Sequence, residues 1–259
     1  MNIRSKKISG NVRKGFRRLS WLFLTGLILM GGFASMTAAG SEARQEDRYA
    51  RERAEMVRNQ IQARGIGDPR LLEAFRTVKR HLFVPESSRD LAYTDQPLSI
   101  GYSQTISQPY IVAFMTEVLD VEDSEKVLEV GTGSGYQAAI LAELCRAVYT
   151  IEIVEALGET ARERLERLDY DNVHVKIGDG YEGWPEHAPY DGIIVTCSPT
   201  QVPKPLKDQL AEGGRMIIPV GKRYTQELVR LRKKDGELKE ESVLPVRFVP
   251  MVNEKGKRY

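Results

Sequence analysis

The run Val127–Tyr136, V-L-E-V-G-T-G-S-G-Y, constrains this chain more than any other segment. Val127, Leu128 and Val130 are strand formers in a short apolar run after the charged stretch Glu122–Lys126. Gly131, Gly133 and Gly135 permit backbone angles that a side chain forbids, and they let a ligand approach the main chain closely. Tyr136–Leu144 carries apolar residues at helical spacing, and Ala147–Ile153 reads as a second strand with Glu152 near its end. Strand, glycine turn, helix, strand and acid in that order make a nucleotide-binding α/β half-unit.

Two ligand classes fit that outline. A dinucleotide site calls for G-x-G-x-x-G with the pyrophosphate at the helix N-terminus. Here Tyr136 stands where the last glycine would be. S-adenosylmethionine has no phosphate; it needs close backbone approach to its methionine part and an acid for its ribose hydroxyls. Glu152, 21 residues after Gly131, suits the ribose role in either class. Glu129 would repel a pyrophosphate but favour a sulfonium and an ammonium. Both differences point to the methyl donor. The alternative, a tight turn that binds nothing, is hard to reconcile with three glycines in five residues and a spaced acid.

The 259 residues allow one large α/β domain plus appendages. Residues 1–18 hold seven basic residues and no acid, and without them 31 Lys and Arg face 36 Asp and Glu, a net charge of −5. A mildly acidic body implies no general affinity for nucleic acid. Cys145 and Cys197 lie in apolar surroundings and read as buried small hydrophobes. His81, His174 and His187 show no metal-ligand spacing, so no metal is expected.

Leu19–Ser41 is free of charge, and small residues follow its apolar part at Ala34, Ser35, Thr37, Ala38 and Ala39. This is the anatomy of a secretory signal, with Thr37 and Ala39 at the cleavage site. The 18 residues Leu19–Met36 could instead stay as a membrane anchor, or the segment could be a misassigned start. Residues 1–44 are therefore expected to form a signal or anchor segment, with membrane contact through 19–36, and 45–259 the catalytic body. Export or tethering sits awkwardly with a methyl donor made in the cytoplasm, so a cytoplasmic location is kept as the alternative.

Downstream, Ser41–Arg64 is helix-prone, and Asp68-Pro69 caps a second helix over Arg70–Val78. An irregular stretch runs to Gly101, followed by a helix over Ser107–Leu119 with Pro109 in its first turn. After Glu152 come a helix over Val154–Leu168 and strands Val173–Ile177 and Tyr190–Thr196. A short helix follows at Pro203–Leu210, then strands Arg215–Val220, Gln226–Arg232 and Ser242–Val249. This alternation predicts an α/β, doubly wound, mainly parallel sheet closed by a C-terminal antiparallel hairpin. The ligand belongs over the carboxyl ends of its strands, where Gly131–Gly135, Glu152, Asp179, Gly180 and Thr196 fall. Asp179 suits an adenine amino group through its carboxylate, or is a turn former beside glycine.

Several separated segments resemble the protein-L-isoaspartate O-methyltransferase family: R-H-L-F-V-P (80–85), A-Y-T-D-Q-P-L-S-I-G (92–101), T-I-S-Q-P (105–109), Val127–Tyr136, Gly178–Gly180 with Trp184, and V-R-F-V-P (246–250). The resemblance implies a Rossmann-like methyltransferase, acting as a monomer, that moves a methyl group from S-adenosyl-L-methionine to the free α-carboxyl of L-isoaspartyl residues in damaged proteins. The ester re-forms a succinimide, which can hydrolyse to a normal aspartyl linkage. It also implies that Ser107 orients the substrate carboxylate, with Thr105 and Ile106 on the same edge and V-R-F-V-P near the substrate entrance. On local grounds Ser107 reads equally as an N-cap for the helix that Pro109 opens. Other readings are a methyltransferase of a small molecule or RNA, a nicotinamide-dependent oxidoreductase built on the same turn, and a tethered binding module.

Overall fold

The computed structural model describes residues 43–222 and 225–259, so the residues predicted as signal or anchor lie outside the described residues up to position 42. The compact unit that carries the site runs from Tyr49 to Tyr259. A helix (α1, 43–55) passes into a π-helical turn, Met56–Ile61, and a 3-10 turn, Gln62–Arg64. Helix α2 (Pro69–Thr77) is capped as its sequence predicts: the Asp68 carboxylate accepts from the Arg70 N–H at 2.8 Å.

Two strands follow that the sequence did not announce. β1 (Leu98–Gly101) and β2 (Gln104–Ile106) pair antiparallel, Ser99 opposite Thr105, where an irregular stretch was expected. Their turn puts Tyr102 and Ser103 at φ 52° and 58°. Such a turn is normally signalled by Asn-Gly or Asp-Gly, and neither is present.

The remaining elements are α3 (Pro109–Leu119), β3 (Lys126–Val130), α4 (Tyr136–Ala142), β4 (Ala147–Glu152), α5 (Glu155–Arg167), β5 (Val173–Ile177), β6 (Tyr190–Val195), α6 (Lys204–Asp208), β7 (Leu210–Lys222), β8 (Thr225–Lys234) and β9 (Glu237–Val246). The strands form a seven-stranded sheet of order β5-β4-β3-β6-β7-β8-β9. The pairs from β5 to β7 are parallel, and β7-β8 and β8-β9 are antiparallel. The expected hairpin is thus present. Its strands are longer than their apolar centres suggested because the outer residues alternate with polar ones. The final strand ends at Val246, three residues before the predicted Val249.

Period-two alternation divides the core. Val127, Val148, Ile194 and Ile217 face the layer containing α3 and α4, and Leu128, Ile151, Ile193 and Met216 face the other. All are at most 1% exposed, and burying each such side chain contributes about 1.5–3 kcal/mol. The same alternation aims Glu129 and Thr150, opposite each other in register, toward the α3–α4 face.

Arg215 on β7 ties the sheet to α3. Its Nε donates to the Leu119 carbonyl at 2.9 Å, and its two terminal nitrogens pair with both oxygens of Glu125 at 2.7 Å. Both side chains are only 12–13% exposed, so removing one partner strands the other's charge in a low-dielectric region. Glu125→Ala is expected to lower unfolding free energy by about 3 kcal/mol, read from the urea midpoint. A loss below a few tenths would show that the pair does not hold α3 in place.

Candidate active site

The chain runs β3-β4-β5 outward on one side of the sheet, then returns to place β6 on the other side of β3. The crevice at that reversal, over the strand ends, is where a ligand is expected. The glycine turn occupies it. Gly131, Gly133 and Gly135 have φ of 102°, 53° and 86°, in the left-handed region that favours glycine. At Gly131 the requirement is doubled, because a Cβ there would lie 2.3 Å from Thr196 Oγ1. Thr196 in turn fills that gap, donating from its hydroxyl to the Gly131 carbonyl at 2.8 Å and from its N–H to Val130 at 2.9 Å.

Glu152 binds the turn from the end of β4. Its carboxylate accepts from the Gly133 N–H at 2.7 Å and from the Val154 N–H at 2.9 Å. Burial raises its pKa, and these backbone donors oppose the shift. Glu129 is completely buried. One carboxyl oxygen accepts from Thr150 Oγ1 at 2.6 Å, and the other has no partner. Burial pushes its pKa up to about 8, so in the ligand-free protein at neutral pH it holds its proton. A cation seated beside it would favour the ionised form.

Three adjoining cavities meet here. One lies between Gly131, Gly133, Ile151–Ile153, Gly180 and Cys197, and is bordered on its far side by 249–252. A second, on the α3–α4 side, is bordered by Ile106, Ser107, Glu129, Ser134, Tyr136 and Gln137. The third is an open groove of about 550 Å³ between Pro97, Ser107, Gln108, Ile111 and 245–249. Thr105 and Thr196 border all three, and Ser107 borders the second and third. Neither of the first two is lined by a Lys or Arg, while two buried carboxyls line them. That disfavours a pyrophosphate. Apolar walls, two acids and the unpartnered Glu129 oxygen fit an adenosyl group bearing a cationic amino-acid end.

Of the residues predicted from sequence, Thr105, Ile106, Ser107, Glu129, Gly131, Gly133, Glu152, Gly180 and Thr196 come together around these cavities. Gly135 lies one turn back, against Leu165. Asp179 does not border them; its carboxylate accepts from the Tyr181 N–H at 3.0 Å and from the hydroxyl of Tyr259, whose ring stacks on Tyr181. Ser107 is not the N-cap. Gln108 occupies that position without a side-chain cap, because its amide is drawn to Asp95 at 2.8 Å. The Ser107 hydroxyl makes no hydrogen bond among the described residues and is left facing the cavities. V-R-F-V-P (246–250), expected near the substrate entrance, borders the groove, and sequence reasoning missed that its last two residues, with Met251 and Val252, also border the donor-side cavity. Among the described residues no group of His, Cys, Asp or Glu is placed to hold a metal ion.

This fold and site define a class I S-adenosylmethionine-dependent methyltransferase. Residues 51–256 match the family model described as protein-L-isoaspartate(D-aspartate) O-methyltransferase, and the chain belongs to that family. It is 53% identical over 238 residues to protein-L-isoaspartate O-methyltransferase 2 of Syntrophobacter fumaroxidans, covering 88% of this chain and 96% of that one. It is 50% identical to the protein-L-isoaspartate O-methyltransferase of Opitutus terrae, over 90% and 98% of the two chains. Among solved structures, a protein-L-isoaspartate O-methyltransferase superposes with TM-score 0.73 at 31% identity, covering 79% of this chain and 67% of that one. A structure from Plasmodium falciparum described as such an enzyme, in complex with S-adenosyl-L-homocysteine, superposes with TM-score 0.67 at 28% identity, covering 76% and 96%.

The buried acid gives a pH signature. Glu129 has a folded pKa of about 8 against an ordinary 4.5, so between those values the folded state holds the extra proton and rising pH favours the unfolded chain. Glu129→Gln lacks that proton. Its stability relative to wild type should therefore climb from about pH 5 to about pH 8 and level off above. Denaturation curves whose difference is flat across that range would contradict the assignment.

Proposed function

We propose that this protein transfers the methyl group of S-adenosyl-L-methionine to the free α-carboxyl of L-isoaspartyl residues in damaged proteins and so initiates their repair. The observation that carries the reading is Ser107, whose unpartnered hydroxyl borders both the inner cavity and the open groove. The donor lies in the two inner cavities, with Glu152 toward the ribose and Glu129 toward the cationic end. The peptide lies in the groove between Pro97 and 245–249.

A carboxylate has a reference pKa near 4 and is already the nucleophile at neutral pH. No general base is required, and none of the residues assigned here acts as one. What the chain supplies is alignment and exclusion of water. Ser107 Oγ donates a hydrogen bond to one carboxylate oxygen and leaves the other aimed at the methyl carbon. The new O–C bond forms as the C–S bond breaks, its electrons going to sulfur, so a cation and an anion become two neutral groups. Such a step is favoured in a pocket walled by Val112, Met115 and Ile151.

Ser107→Ala should lower kcat/KM for an isoaspartyl peptide roughly 10- to 100-fold, the loss of one hydrogen bond to a charged group, with affinity for S-adenosylhomocysteine unchanged. Wild type should place base-labile methyl ester on the isoaspartyl peptide and not on its aspartyl twin. Equal labelling of both peptides, or a product stable to mild alkali, would sink the reading.

We also propose that the uncharged stretch 19–41 behind the basic residues 1–18 takes the chain to a membrane, cleaved near Ala39 or retained as an anchor. Fractionation with sequencing of the mature N-terminus tests this. An intact N-terminus recovered in the soluble fraction would contradict it. Among the described residues, no helix is long and apolar enough to cross a membrane.

A further inference from the structure

Arg80 is completely buried. It opens the 3-10 turn Arg80–Phe83, and its guanidinium reaches inward from there. Nε donates to the Ala92 carbonyl at 2.8 Å and one terminal nitrogen donates to the Ser107 carbonyl at 2.7 Å. The other terminal nitrogen has no partner. The guanidinium carbon lies 4.8 Å from the centre of the Tyr136 ring, so the cation and the buried Tyr136 side chain attract each other, although the Tyr136 hydroxyl makes no hydrogen bond of good geometry. Among the described residues no carboxylate pairs with Arg80.

A buried cation without a counter-charge is costly, and an arginine cannot escape the cost by losing its proton. Two neutral carbonyls could be bridged by a neutral donor, so the backbone ties alone do not account for the charge. What they explain is where the charge sits. It lies directly behind a wall made of Ser107 and Tyr136, and both residues border the inner cavity.

We infer that Arg80 is a positioning residue that fixes the main chain of Ser107 and supplies the buried positive charge facing a ligand carboxylate seated at the Ser107 hydroxyl. The inference rests on the role proposed for Ser107. Two ligands bring a carboxylate to that wall: the isoaspartyl substrate through the groove, and the methionine end of the donor in the inner cavity.

The test uses the full chain as Arg80→Gln, which keeps a donor for the carbonyls but removes the charge, and Arg80→Lys, which keeps the charge. Calorimetry measures two preferences. One is for an isoaspartyl peptide over its α-carboxamide twin, with S-adenosylhomocysteine present. The other is for S-adenosylhomocysteine over the analogue lacking the methionine carboxylate. Arg80→Gln should lose at least about tenfold of the wild-type preference in one comparison, and the comparison that moves identifies the carboxylate. Glu129, in the same cavity, titrates across this range in every variant, so wild type is measured alongside: Arg80→Lys should match its preference at about pH 6 and fall below it by about pH 9, because a buried lysine gives up its proton where arginine does not. That pH dependence decides the matter even if Arg80→Gln does not fold. Equal weakening of carboxylate and carboxamide ligands in Arg80→Gln would mark a structural tie only and overturn the proposal. A preference in Arg80→Lys that follows wild type over the whole of that pH range would overturn it as well. Labelling of the isoaspartyl peptide by wild type comes first, so failure of the parent reading is seen before any variant is made.

Discussion

The site depends on the close approach of Gly131 and Thr196 at the reversal between β3 and β6. Parallel pairing brings Val130 level with Val195, and the next residue of each strand then meets across the gap. A side chain at 131 would stand 2.3 Å from the threonine oxygen, so the turn can close only on glycine. Closure lets Thr196 hold two successive carbonyls and lets the Gly133 N–H reach Glu152 on the neighbouring strand. One backbone contact thereby sets the floor of the cavities, the position of Glu152 and the direction in which α4 leaves.

Charge placement follows from the sheet's alternation. Glu129 is aimed into the inner cavity because Val127 and Leu128 must face opposite cores, and its burial there gives it the raised pKa. A buried acid with one oxygen unsatisfied, in a cavity that no Lys or Arg lines, suits a cationic ligand better than a phosphate. Ser107 reaches the same place by a different route, at the end of the β1–β2 hairpin and just before α3. Glu129 and Ser107 are thus carried on separate elements that border one cavity.

The βαβ core was legible because its signals are local and redundant. A continuous apolar strand, three glycines and a spaced acid all identify β3, the turn and β4, and strand Val173–Ile177 is found with the bounds its pattern suggests. The β1–β2 hairpin was not legible, because its strands are four and three residues long and its turn residues, Tyr102 and Ser103, give no turn signal. The N-cap of α3 fell one residue later than local preference suggested, since Asp95, a residue distant in sequence, takes the Gln108 amide. Asp179 shows the same limit. Its environment is set by Tyr259, 80 residues away, and no local pattern records that contact. Arg80 entered the sequence reading only as the first residue of R-H-L-F-V-P, and its burial against Ser107 exists only in the folded chain.

The central claim is that donor and carboxylate meet at the wall formed by Thr105, Ser107 and Thr196. A crystal structure of the protein with S-adenosylhomocysteine and an isoaspartyl peptide tests it most directly. One carboxylate oxygen should lie within hydrogen-bond reach of Ser107 Oγ, about 2.7 Å, and the other should point at the sulfur from the groove side, with Glu152 on the ribose. A peptide carboxylate bound elsewhere in the groove, with Ser107 Oγ left in solvent, would contradict the account.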